Sequence, residues 1–116
     1  MARVTLGKDV VDVTMSLPEE IFSFHGSFRI PLAHVTNAYA SRLEELRLKW
    51  RLLGTGAGSL MTAGIFTSDE GVIFCDVHGS HDVLVIETRG ERFPRLAFTL
   101  DDDRNPDAVA REICPR

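Results

Sequence analysis

The sequence predicts a mainly β domain: seven to eight antiparallel strands forming a barrel, with one C-terminal helix plugging its open end. Three observations carry that expectation. Residues 60 to 100 contain the runs LMTAGIFT, GVIFCDVH, HDVLVIET and PRLAFTL, each rich in β-forming residues and bounded by turn residues. Two further β-like runs, ARVTL at 2 to 6 and VVDVTMS at 10 to 16, flank Gly7-Lys8-Asp9. Near the other end, Asn105-Pro106-Asp107 supplies an N-cap, a proline for the first helical position and an acid for the positive end of the helix dipole.

Taken in order, the leading pair reads as a hairpin. Ser16-Leu17-Pro18-Glu19 then has the form of a capping box, predicting a short helix from Pro18 to His25 that Gly26 ends. Residues 27 to 31 and 34 to 40 read as two short strands with Pro31 at the bend. Between Ser41 and Leu53, Leu43, Leu46, Trp50 and Leu53 recur at helical spacing over too short a run, which predicts an irregular segment with one or two helical turns. Gly54-Thr55-Gly56-Ala57-Gly58 reads as a flexible connection, since no P-loop lysine follows it. In the final helix, Ala108, Val109, Ile113 and Cys114 are expected to face inward.

The four runs from 60 to 100 form a predicted meander. Gly79-Ser80 suits a two-residue turn that sets His78 opposite His81 and pairs Asp76 with Val83, Cys75 with Leu84 and Phe74 with Val85. Side chains alternate along a strand, so one face carries Ile73, Cys75, Val77, Leu84 and Ile86 and is assigned to the core. A loop Thr88-Arg89-Gly90, with Gly90 left-handed, adds Leu96, Phe98 and Leu100 to that face. A loop Asp69-Glu70-Gly71 adds Met61, Ala63 and Ile65, and pairs Phe66 with Phe74 on the outer face.

A chain of 116 residues is one domain in this reading, long enough to bury about two-thirds of its unfolded surface without a metal or disulfide. No apolar run is long enough for a membrane span and MARVTLGKDV lacks a signal-peptide core, which predicts a cytoplasmic protein with Cys75 and Cys114 reduced. The net charge is −4, with seven Lys/Arg against six Asp/Glu up to residue 53 and six against eleven beyond it. Such a balance disfavours nucleic acid and anionic membranes, which need a concentrated basic face.

Chemistry-bearing residues are few. Asp76, His78 and His81 share one face in the predicted hairpin and could hold a divalent metal with water as fourth ligand, against the plain reading of a polar hairpin tip. Cys75 and His78 point to opposite faces, which excludes a cysteine–histidine nucleophile. Phe66, Phe74, Val83 and Val85 form an apolar outer patch that needs a cover, either residues 41 to 53 or a second copy of the chain in a homodimer. Trp50, between Lys49 and Arg51, is a further partner anchor or packs over a barrel end.

The leading strand pair, Phe28-Arg29-Ile30-Pro31-Leu32-Ala33-His34-Val35, the Gly54-Thr55-Gly56 loop and the run from Phe74 to Glu87 together resemble the bacterial pleckstrin-homology-like (PH-like) domains, of the actinobacterial type similar to sublancin-immunity-like proteins. That resemblance implies a PH-like barrel of two orthogonal sheets and a non-enzymatic binding or scaffold module for protein or peptide surfaces, with no cofactor. Phosphoinositide binding does not carry over, because Gly7-Lys8-Asp9 offers one lysine beside an acid, and no membrane anchor is present in the sequence. A small metal-binding protein or metal-dependent hydrolase using Asp76, His78 and His81 is the alternative. A carrier of a small apolar ligand is a third reading, although a barrel of this size tends to fill with its own side chains.

Overall fold

The computed structural model describes residues 2–15, 27–46, 48–57, 61–69, 71–78, 82–101 and 104–114. The predicted helix from Pro18 to His25 lies outside them, as does His81. Nine strands are described: β1 (Arg3–Leu6), β2 (Val10–Thr14), β3 (Phe28–Pro31), β4 (Val35–Ser41), β5 (Leu48–Ala57), β6 (Met61–Ser68), β7 (Gly71–His78), β8 (Val83–Thr88) and β9 (Arg95–Phe98). Short 3-10 turns cover Leu32–His34 and Leu43–Leu46, and one helix, α1 (Pro106–Ile113), follows β9. The strands make two sheets, β1-β2-β3 and β4-β8-β9-β7-β6-β5. Among the described residues the edge strands β4 and β5 are not paired, so no closed barrel forms.

Local signals produced what they predicted. Gly7 donates its N–H to the Val10 carbonyl at 2.8 Å and closes the first hairpin, with Leu6 opposite Val11. Asn105 caps α1 by accepting from the Asp107 N–H at 2.9 Å, Pro106 opens the helix, and Arg111 pairs with Asp107 one turn away at 2.9 Å. The buried face of α1 is Val109, Ala110 and Ile113; Ala108 is exposed and Cys114 half-buried, so the inward face is shifted from the expected one.

The meander is corrected. β7 and β8 do not form a hairpin; β9 lies between them, parallel to β7 and antiparallel to β8. Its backbone groups bond to both neighbours, which a terminal strand of a meander cannot do. β6 and β7 meet with Ser68 opposite Gly71, a loop one residue shorter than expected, and Gly71 takes φ 105°. That single-residue change turns β7 over. Ile65 now faces Phe74, and Phe66 faces Ile73 rather than Phe74. The faces of β8 and β9 stay as expected, with Leu84 opposite Phe98 and Ile86 opposite Leu96.

Both faces of the large sheet are buried as a result. Phe74, Ile65, Leu84, Ile86, Leu96 and Phe98 pack with Val4, Val11, Val13 and Ile30 of the small sheet and with Val109, Ala110 and Ile113 of α1. Phe28, Phe74, Phe93 and Phe98 form an aromatic cluster there, with Phe28 edge-on to Phe74 at 4.7 Å and the other contacts within 6.0 Å. The opposite face holds Phe66, Ile73, Cys75, Val77, Val83, Val85 and Ala97, covered by Leu46, with Tyr39 and Leu48 beside it. Of the apolar patch expected on the surface, Phe74, Val83 and Val85 are therefore fully buried and Phe66 nearly so. Leu46, on the chain's own link from β4 to β5, covers Phe66, Val83 and Val85, while Phe74 lies on the opposite face beneath the small sheet.

That link also bends the sheet. Ala40 is level with Leu84, Phe98, Asp76, Ala63 and Thr55 across the six strands, while Leu48 sits opposite Ser68. On a flat sheet Ala40 and Leu48 would lie roughly 29 Å apart, from inter-strand spacing and rise per residue. Eight residues that include a 3-10 turn reach only about 22 Å. The sheet must curl toward the face that Leu46 crosses. Gly54 and Gly64 stand opposite one another in the β5–β6 ladder, leaving a stretch without side chains where bending is easy. The expected flexible connection at 54 to 58 is thus strand as far as Ala57.

Phe74→Ala should lower stability by about 3–5 kcal/mol, the usual cost of emptying an aromatic core site. Leu6→Ala, at an exposed large apolar side chain, should change it by less than about 0.5 kcal/mol. Urea unfolding of the two variants tests this; equal effects would mean that Phe74 is on the surface after all.

Candidate functional site

Among the described residues, two concave features lie on the outside of these cores. The larger is a groove of ≈ 460 Å³ between β4 and α1, lined by Ala38 and Tyr39 on one side and Asp107, Ala110, Arg111 and Cys114 on the other. Among the described residues β4 bonds to β8 along one edge and is terminal in its sheet, so its other edge lies toward the groove. Ala38 and Tyr39 point to opposite faces of the strand, which places the groove along the edge itself. In the sequence Asp107 and Cys114 were singled out only for their places in the helix, and none of these residues as a site, because β4 and α1 are far apart in the chain.

Tyr39 is held by a polar group inside the curled sheet. Its hydroxyl donates to Glu87 Oε2 at 2.9 Å. Burial and then the Glu87 hydrogen bond raise the Tyr39 pKa, and Arg95 opposes the rise. Arg95, directly across the ladder from Glu87, is buried and donates to Ser68 Oγ, whose own hydroxyl donates to the Gly71 carbonyl at 2.9 Å. A buried guanidinium is tolerable only with such partners.

The second feature is a cavity of ≈ 220 Å³ between the edge strand β3 and the segment joining β8 to β9. Phe28, Ile30, Phe93 and Leu96 supply its apolar wall. Arg29 and Arg92 are exposed on its solvent side, with Ser27 and Glu91 beside them. Arg29 reaches Asp12 at 3.1 Å and Glu91 reaches His34 Nδ1 at 2.5 Å. The Arg92 guanidinium sits 5.0 Å from the centre of the Phe93 ring.

Of the residues proposed for a metal, Asp76 is fully buried and its Oδ1 lies 3.3 Å from His78 Nε2. His81 is outside the described residues, and no group of three His, Cys, Asp or Glu suited to a metal occurs among those described. Cys75 is fully buried among Ile73, Val77, Val85 and Ala97, and desolvation pushes its pKa up to about 12. It is an inert core thiol. Trp50 lies on β5. No helix among the described residues is long and apolar enough to cross a membrane. A scan against family models finds no match, and searches of curated proteins and of solved structures find none.

The thiols make a direct test. In the native protein a disulfide reagent should titrate one group, Cys114, and two after unfolding. Cys75 keeps its proton to about pH 12 when folded, whereas an unfolded thiol loses it near pH ~8.5. Between those values the unfolded chain binds fewer protons, so the contribution present below the lower pH is lost as pH rises. Denaturation midpoints from pH 8 upward should therefore fall more steeply for wild type than for Cys75→Ala.

Proposed function

We propose that this chain is a non-catalytic binding module of PH-like character, engaging an extended segment of a protein or peptide in the groove between β4 and α1. The observation that carries this reading is the pairing of a strand edge, terminal in its sheet among the described residues and with its Ala38 N–H donating to Asn37 Oδ1, with a helix wall. An extended peptide adding to β4 would bond through its backbone, and alternate side chains would contact Tyr39 and Ala110. The two-sheet β architecture with a helix behind the last strand supports a PH-like assignment. The long six-stranded order with β9 inserted departs from the barrel that the resemblance implies. A cytoplasmic setting suits the reduced thiols.

A screen of immobilised extended peptides against the purified protein tests the proposal. Binding should be lost in Cys114→Trp, which fills the groove from a half-buried position, while the melting temperature stays within a few degrees. Failure to find any binding peptide, or equal binding by that variant, would count against the groove.

The alternative is a divalent ion held by Asp76, His78 and His81, supported by the 3.3 Å contact between the first two. Calorimetric titration with zinc chloride should then show one site that His78→Ala removes; a flat titration disposes of it.

A further inference from the structure

We infer that the cavity between β3 and the β8–β9 segment is a second binding site, taking a single aromatic ring that carries a carboxylate. The volume supports one ring: an apolar cavity of about 150 Å³ suffices for benzene, and this one measures ≈ 220 Å³. The remaining space matches a short chain with a charged head. Its back wall is rigid, because Phe28 and Phe93 belong to the aromatic cluster built around Phe74. Edge-on and offset contacts between rings favour an aromatic guest over an aliphatic one.

Charge selects the head group. Among the described residues, Glu91 on the cavity wall is engaged by His34, and Asp12 by Arg29. Arg92 instead lies over the Phe93 ring, and no ion pair to it occurs among the described residues. A guanidinium resting on an aromatic face keeps its edge donors for a bidentate carboxylate. A ring lying against Phe93 would bring its own carboxylate to that edge. Serving a ring and an anion together is more than core packing requires.

The same chemistry occurs in a free aryl acid and in a polypeptide ending in phenylalanine. Titrations followed by methyl NMR of Ile30 and Leu96 separate the two. 3-Phenylpropionate should shift both methyl sets with a dissociation constant in the millimolar range, as expected for so small a ligand. The uncharged 3-phenylpropanol and the exposed-site variant Arg92→Gln should each weaken binding by about tenfold. Tighter binding by Gly-Gly-Phe than by 3-phenylpropionate would identify a polypeptide terminus as the source, and the reverse order a free acid. Unshifted methyls with both acids, or equal affinity for acid and alcohol, would overturn the inference.

Discussion

The position of β9 governs the molecule. All four of its residues are buried, and it is bonded to β7 on one side and β8 on the other. Once it occupies that slot, Leu96 and Phe98 must face the small sheet and Arg95 and Ala97 the opposite side. β7 and β8 are brought into phase through it rather than through each other. The aromatic cluster, the second apolar layer beneath Leu46 and the polar group around Arg95 all follow from that phase.

Arg95 shows how strongly the inner arrangement is specified. A lone guanidinium on an apolar face would cost several kcal/mol after relaxation. Here Ser68 comes from β6, Glu87 from β8 and Tyr39 from β4, so partners from three other strands converge on one side chain of β9. A shift of β9 by one residue would put that charge into the aromatic cluster. The register is thus fixed by a penalty as well as by hydrophobic gain.

Local features were legible in the sequence and long-range ones were not. The hairpin at Gly7 and the cap at Asn105 depend on residues within a few positions of each other, and both formed. The phase of β7 was ambiguous because Ile73, Phe74, Cys75 and Val77 are apolar on both faces, as befits a strand buried on both sides. Parity counting through Gly79-Ser80 presumed that β7 and β8 touch; an inserted strand leaves no trace in the turn. The glycines at 54 and 56 looked like a loop, whereas a curling sheet uses bare positions. For the sites, β3 and the 91 to 96 segment are some sixty residues apart in the chain. The sole sequence hint was the repeated pairing of arginine with phenylalanine, Phe28-Arg29 and Arg92-Phe93.

One remaining feature bears on mechanical resistance. Ala2 runs parallel to Leu100, donating to the Thr99 carbonyl at 2.8 Å and accepting from the Asp101 N–H at 2.9 Å. Arg3 adds a contact to Asp101 at 3.2 Å, and Arg104 donates to the Val4 carbonyl at 2.7 Å. Because the two segments run in the same direction, tension applied through opposite ends of the chain slides them past one another and loads these bonds together. An antiparallel closure would have opened one bond at a time, like a zip.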